Sequence, residues 1–414
     1  GKKMSAIVLL PLLVIIAVLV MRKHMIVAGI SGAIVAMIIG HMGLASATKI
    51  IMDAIPGMMS MTTPIMYSAT ALAVAKTGGF DALLRLSRKI TGNRVYLVAA
   101  AIVLIQALAT YAAGLGAGNT MVTGPLAFAA VGAVPELIAG MAIATAASFE
   151  TSPASAESAT ISKIAKMDVG TYVNQMFPFT ILFWIIGITL AAYGVWRRGR
   201  ILNEENNEPM SMGQIVRTAL PPLYFIIVVV AGKYLNMLFG GYHVFTAPFN
   251  MISTLVLATI LTKSSMDKMA ENLIQGSSFI LTRLFAIGVF LGFINILSEI
   301  GTFKYIAQIA ASAPSFIFVS TAILAGFIVA VPAGAYSVGV ISLVVPVLAA
   351  VGLTPLQMGL VALAIGMGTQ MSPVQINVAA LSQTFEMEIE SVVRNNAPYV
   401  FGVLALLIIL GLFL

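Results

Sequence analysis

Two glutamates stand seven residues apart in a run that is otherwise apolar or small, Ala147-Ser148-Phe149-Glu150-Thr151-Ser152-Pro153-Ala154-Ser155-Ala156-Glu157-Ser158. Carboxyl groups inside an apolar segment are costly and mark ion, proton or ligand sites by default. Glu150 suits carrying a proton, helping to hold a sodium ion, or pairing with a cationic substrate. The plainer reading is a protonated carboxyl that ties the segment together. Glu157, two turns further along, shares its face if a helix resumes at Pro153, a residue that cannot continue a hydrogen-bond ladder but suits a first turn. The segment therefore reads as a broken helix. A second run has the same character, Gly368-Thr369-Gln370-Met371-Ser372-Pro373-Val374-Gln375-Ile376-Asn377.

Two further breaks read as hairpin tips. The first is Gly114-Leu115-Gly116-Ala117-Gly118-Asn119-Thr120, with Asn119 and Thr120 expected as N-caps of the following half-helix. The second is Val331-Pro332-Ala333-Gly334-Ala335-Tyr336-Ser337. A bland alternative for the glycine run is close helix packing. Four half-helices starting near one point would offer free N–H groups and positive dipole ends to a carboxylate. Carbonyls exposed at the breaks, at Gly118, Gly334 and Gln370, would coordinate a cation, with Glu150 and Glu157 as the other coupling-ion candidates.

Other chemistry lacks residues. His24, His41 and His243 do not group as ligands, and the 24 methionines read as apolar filler. No HExxH, GxSxG or phosphate-binding loop occurs, so metalloprotease, serine hydrolase and ATP-driven readings have no motif. The chain is not expected to be an enzyme or to need a cofactor beyond a sodium ion or proton.

The elements that must position these residues are membrane helices. The 414 residues are 60% hydrophobic and 9% charged, against about 25% charged in soluble domains, and mean hydropathy is +1.03. Apolar windows give spans near 5–21, 25–42, 58–76, 176–196, 219–238, 245–262, 277–297 and 396–414, with two interrupted blocks at 95–166 and 312–384. The polar stretch from Arg197 to Arg217 reads as a solvated linker. Placing Arg22 and Lys23 in the cytoplasm puts 15 of the 22 Lys and Arg inside, Arg283 among them. That count requires 95–133 to enter and leave on one side, as a re-entrant hairpin does. The net charge of +7 belongs to short loops and is no nucleic-acid signal.

Sliding the chain by 220 residues aligns 113–179 with 333–399 without a gap, with 16 identities in 67 positions, including Pro135 with Pro355, Ser152-Pro153 with Ser372-Pro373, and Pro178 with Pro398. By the charge argument the halves are inverted. Inverted repeats with discontinuous helices belong to secondary transporters, which bind where the breaks meet. Each half then has three spans, a hairpin, a broken helix and a closing span.

The segments Thr151-Ser152-Pro153, Gln370-Met371-Ser372-Pro373-Val374 and Val392-Val393-Arg394 with Pro398 and Gly402 resemble the ion transporter superfamily, most closely the DcuC-type anaerobic C4-dicarboxylate carriers. Leu19–Gly43 with Gly78-Gly79 is also similar to gluconate permeases. The resemblance implies a homodimer in the cell inner membrane and transport domains moving as elevators against scaffolds. It implies substrate contacts from Asn119, Thr120 and Ser337 on the tips, and from Thr151, Ser152, Ser155, Ser372 and Asn377 at the breaks.

The sequence thus reads as an all-α polytopic carrier in the lipid bilayer, moving small organic anions, C4-dicarboxylates first among them, on a proton or sodium gradient. Its parts are scaffold spans at 1–94 and 219–311, transport segments at 95–196 and 312–414, and a cytoplasmic linker at 197–218. A cation/proton antiporter built on Glu150 and Glu157, a carrier for gluconate or another monocarboxylate, and a channel stand as alternatives.

Overall fold

The computed structural model describes residues 5–92, 94–201 and 208–414, the side chains at 112, 113 and 233 excepted. Residues 202–207 of the expected linker lie outside them. The described residues form helices and no strand.

The first half contains α1 (Leu10–Val20), α2 (Met25–Ile39), α3 (Leu44–Met59), α4 (Thr62–Ala75) and α5 (Gly79–Thr91), then α6 (Val95–Ala113), α7 (Ala117–Val131), α8 (Pro135–Thr151), α9 (Ala156–Ala165) and α10 (Val169–Arg197). The second contains α11 (Met212–Met237), α12 (Ala247–Leu261), α13 (Met266–Glu299) and α14 (Thr302–Ala311), then α15 (Phe318–Ala333), α16 (Ser337–Ala349), α17 (Pro355–Thr369), α18 (Ile376–Thr384) and α19 (Ile389–Phe413). The starts of α7 and α16, α8 and α17, α9 and α18, and α10 and α19 are each 220 residues apart, as are the ends of α6 and α15. Proline at the first position of α8 and α17 explains one pair of starts, since its missing N–H is an orphan there anyway.

Five described helices are long and apolar enough to cross a membrane: Val169–Arg197, Met212–Gly232, Met266–Glu299, Ser315–Ala333 and Ile389–Phe413. Several others, including α2, α12 and α17, are apolar but only 15 residues long, about 22 Å at 1.5 Å per residue. Exposed Ile16, Val20, Ile30, Ile34 and Ile38 line the outer faces of α1 and α2, a surface suited to lipid rather than water. The chain is a multi-pass membrane protein.

The core is a helix pair. α8 and α17 pack on each other, on α10 and α15, and on α19, and nearly all their residues are buried. Small side chains at 139, 142, 144, 146 and 147 allow that crowding. At the start of α8, Glu136 is 4% exposed and takes both Nε and Nη2 of Arg198 at 3.0 Å. Glu150 and Glu157 are therefore not alone among buried acids.

Several boundaries differ from the sequence reading. The span expected at 58–76 is α4, and the preceding α3 was not expected because Lys49, Asp53 and Pro56 interrupt its apolar pattern. Together α3 and α4 face the unbroken α13, whose Gly288 and Gly292 lie against the backbone of Ile55 and Ile51; a Cβ at 292 would sit 2.9 Å from the Ile51 Cα. α13 also begins eleven residues before the expected 277, where Ser265 caps a polar first stretch. Arg283, counted on the cytoplasmic side and near the start of the expected span 277–297, consequently stands mid-helix. α10 starts at Val169 because Asp168 caps it, accepting from the Thr171 N–H at 3.1 Å and hydroxyl at 2.6 Å. Those donors hold the Asp168 carboxyl below its ordinary range.

Candidate functional site

The first tip is made by Gly114, whose φ of +77° reverses the chain after α6. A side chain there would collide with the turn between α8 and α9, because its Cβ would lie 2.7 Å from the Ala154 carbonyl oxygen. Tip and break are therefore packed backbone to backbone. The Ser152 hydroxyl strengthens this by donating to the Tyr111 carbonyl at 2.5 Å.

Gly116 occupies the cap position of α7, so Asn119 and Thr120 are inside the helix, not N-caps. Asn119 donates to the Leu115 carbonyl at 3.0 Å. Thr120 donates across the molecule to Asn377 Oδ1 at 2.7 Å. A residue not singled out from sequence organises this region: Gln106 on α6, fully buried. Its amide donates to the Thr120 hydroxyl at 2.8 Å, the Thr145 hydroxyl at 3.1 Å and the Gly116 carbonyl at 3.2 Å. Its carbonyl accepts from Thr123 at 2.8 Å. The available signal was a lone glutamine in the apolar run 95–109.

In the first break α8 ends at Thr151 and α9 restarts at Ala156, capped by Ser155, which accepts from the Ser158 N–H at 3.1 Å. Pro153 lies in the intervening turn rather than in the first helical turn, which leaves capping to a side-chain oxygen that proline lacks. Glu157 thus sits in the first turn of α9, not two turns along. Thr151 stays in the wall of the break, 2.7 Å from the Thr180 hydroxyl.

The second break repeats the pattern. Pro373 lies in the turn and Gln375 caps α18, accepting from the Asn377 N–H at 3.1 Å. Gln375 also donates to the Gly334 carbonyl at 2.8 Å, tying this break to the second tip. Gln370 accepts from the Asn377 amide at 2.7 Å, and its carbonyl accepts from Asn396 at 3.0 Å. The Gly334 and Gln370 carbonyls, expected to face a cation, therefore each already hold an amide. Ser372 accepts from the Val374 N–H within the turn.

Ser337, the first residue of α16, donates to Glu150 Oε1. The cross-links are reciprocal: the first-half tip helix bonds the second break through Thr120 and Asn377, and the second-half tip helix bonds the first break through Ser337 and Glu150.

The starts of α7, α9, α16 and α18 surround one cavity of about 420 Å³, within the usual range for small-molecule sites. Gly118 and Asn119, Glu157, Ser337, and Asn377 reach it from those four starts, and Thr63 and Tyr67 of α4 close another side. Glu157 is its only charged lining residue among those described. Of the residues expected at the site, Asn119, Ser337, Asn377, Glu157 and Gly118 line the cavity. Thr120, Glu150 and Gln370 are bonded behind it, while Thr151, Ser152, Ser155, Ser372 and Gly334 shape the breaks.

A second cavity of about 450 Å³ lies further along α4, α7 and α18, lined by Ser68, Leu72, Met121, Pro125, Gln383 and Thr384. Arg283 borders it and holds α18 to α13, donating to Ser382 Oγ at 2.8 Å and Gln383 Oε1 at 2.7 Å. Among the described residues no group of three or more His, Cys, Asp or Glu side chains is placed to hold a metal ion.

Broken helices that start around a shared cavity, in a polytopic helical chain, define a secondary transporter. Residues 182–414 match the family model described as the tripartite ATP-independent periplasmic transporter, DctM component, and the chain belongs to that family. The match supports a carrier and does not single out the DcuC type. No curated protein sequence matches the chain. The fold is also similar to the crystal structure of the Alcanivorax borkumensis YdaH transporter, with 15% identity and a TM-score of 0.41 over 90% of this chain and 88% of that one.

Proposed function

We propose that the chain carries small organic anions, C4-dicarboxylates first among them, across the cell inner membrane on a proton or sodium gradient. The observation that carries this reading is the convergence of four helix N-termini on one cavity. Their positive dipole ends, and the first-turn N–H groups that the Ser155 and Gln375 caps leave over, suit a carboxylate, and Asn119, Ser337 and Asn377 add neutral donors. Among the described residues the cavity is lined by no lysine or arginine, which favours recognition of a carboxylate by backbone and amide dipoles.

The coincident 220-residue register of five helix boundaries supports an inverted duplication. In the elevator form of the reading, α1–α5 and α11–α14 are scaffold, within 1–94 and 219–311. The hairpins, breaks and closing helices at 95–196 and 312–414 are the moving body. Two cavities on the same α4–α7–α18 seam, displaced along it, favour movement of that kind. A homodimer joined through the scaffolds belongs to this proposal. The family description adds a second assembly, in which this chain is one of three components.

The cation/proton antiporter reading is favoured by one observation, the fully buried Glu150 with an unpartnered oxygen. Thermal stabilisation of the purified protein separates the two, since a ligand that binds only the folded state raises the melting point. Succinate or fumarate raising it, with gluconate, citrate and lactate as comparison, is the expected result. A response to sodium or pH alone, every organic anion being silent, would favour the antiporter.

A further inference from the structure

The two carboxyl groups beside the cavity occupy positions that the other half fills with amides. Glu150 corresponds to Gln370 and Glu157 to Asn377, each 220 residues later. In the second half Asn377 Nδ2 donates to Gln370 Oε1 at 2.7 Å. A carboxylate has no hydrogen to donate, so the same link in the first half requires a proton.

Glu150 is fully buried. Ser337 donates to Oε1, whereas Oε2 is buried without a partner. The nearby hydroxyls of Ser158 and Tyr172 donate to the Glu150 backbone carbonyl, both at 3.4 Å, and not to its carboxyl. On α17 the carboxyl rests against Gly366, where an added Cβ would meet its Cγ at 2.5 Å. α16, α17 and α18 contain no ionisable side chain. The ionisable groups facing Glu150 are Glu157 from α9 and Tyr172 from α10. α6 brings Tyr111 to the neighbouring Ser152. On α19, Tyr399 bonds Glu136 at the far end of α8. Among the described residues no cation faces this carboxyl, and an unpaired buried carboxylate is strongly disfavoured.

We propose that Glu150 and Glu157 form a proton-binding pair that opens to the substrate cavity through Glu157 and is loaded when an anion binds. This rests on the carrier reading and names its coupling ion. Water in the cavity protonates the Glu157 carboxylate. Glu157 passes that proton to the Glu150 carboxylate at Oε2 and returns to the charged state, ready to take another from the cavity. A neutral Glu150 accepts from Ser337 with Oε1 and offers its Oε2–H towards Glu157, linking the two positions that the second half links with the donor reversed, Asn377 giving its hydrogen to Gln370. The loaded pair carries less negative charge beside the anion held at the four helix starts.

The test is calorimetry of succinate binding to the purified full chain in buffers of different ionisation enthalpy, which counts protons taken up. About one proton per succinate is expected above the titration of the pair, falling towards none below it, with affinity dropping about tenfold per pH unit on the alkaline side. Glu150→Gln should remove the uptake and abolish accumulation driven by a pH gradient. Infrared spectroscopy supplies a readout free of substrate: a protonated-carboxyl band in the wild type at neutral pH, lost in Glu150→Gln. Should that variant fail to fold, the wild-type proton count and a slower pH-driven uptake in Glu157→Gln decide. Succinate binding with no proton uptake from acid to alkaline pH, and accumulation that follows sodium, would overturn the proposal. If no organic anion binds, the carrier reading fails; absence of the infrared band then overturns the proton pair as well.

Discussion

Replacing Gln106 by leucine should loosen the first tip from both α8 behind it and the opposite break. The side chain makes three bonds of 3.1 Å or less, to Thr120, Thr145 and Thr123. Side-chain hydrogen bonds between membrane helices contribute about 0.6 kcal/mol on average and up to about 1.7, so three give about 2–5 kcal/mol. Two of the threonines have a fallback: Thr123 already donates to the Asn119 carbonyl at 3.1 Å, and Thr120 to the Gly116 carbonyl at 3.2 Å. Thr145 has no other bond among the described residues and would be left buried and unpaired. The lower end, about 2 kcal/mol, is therefore expected. Detergent-induced unfolding in mixed micelles measures it. Thr145→Val supplies the coupled partner, and the double variant should cost less than the sum of the singles, because both remove one bond. A Gln106→Leu change within about 0.5 kcal/mol of wild type, the usual scatter for uncoupled surface positions, would refute the reasoning.

Arg198→Met strips a buried carboxylate of its bidentate partner. With Arg198 itself 38% exposed, a destabilisation of about 1–3 kcal/mol is expected rather than the larger value for a wholly buried pair. Glu136→Gln in the same background should recover part of it in the same unfolding assay. Asp168→Asn tests the cap of α10: a carboxyl held below its ordinary range contributes stability above its unfolded pKa and loses it as pH falls through the folded one. The variant should show a shallower loss of melting temperature at acid pH, and an unchanged acid limb would contradict that assignment. Arg283→Met removes the two bonds that hold α18 to α13. Cysteine cross-linking between those helices should become less efficient, and equal efficiency would show that the contact does not hold the seam.

The architecture was legible because its causes are local. Pro135 and Pro355 set helix starts, Gly114 sets a reversal, and the Ser-Pro pairs mark breaks in the same register in both halves. What escaped was decided by tertiary contact. α3 is amphipathic, with Lys49, Asp53 and Pro56, and becomes part of a long element only by packing along α13. Arg283 reads as a charge near the start of a span until Ser265 is seen to extend α13 by three turns. Likewise, Asn119 and Thr120 have cap chemistry, yet the turn closes earlier at Gly116 and commits Thr120 to a partner 257 residues away. Hydrogen bonds between distant segments leave no spacing to read, which is why Gln106 drew no attention.

The central claim is that the cavity where α7, α9, α16 and α18 begin binds the transported anion. Counterflow in proteoliposomes addresses it directly: labelled succinate entering against an internal excess of unlabelled succinate. The account predicts saturable counterflow by the wild type, and at least a tenfold loss of apparent affinity in Asn377→Leu, about 1.4 kcal/mol, which removes a lining amide and its bonds to Thr120 and Gln370. Counterflow that is absent for every organic anion, or that proceeds unchanged in Asn377→Leu, would contradict it.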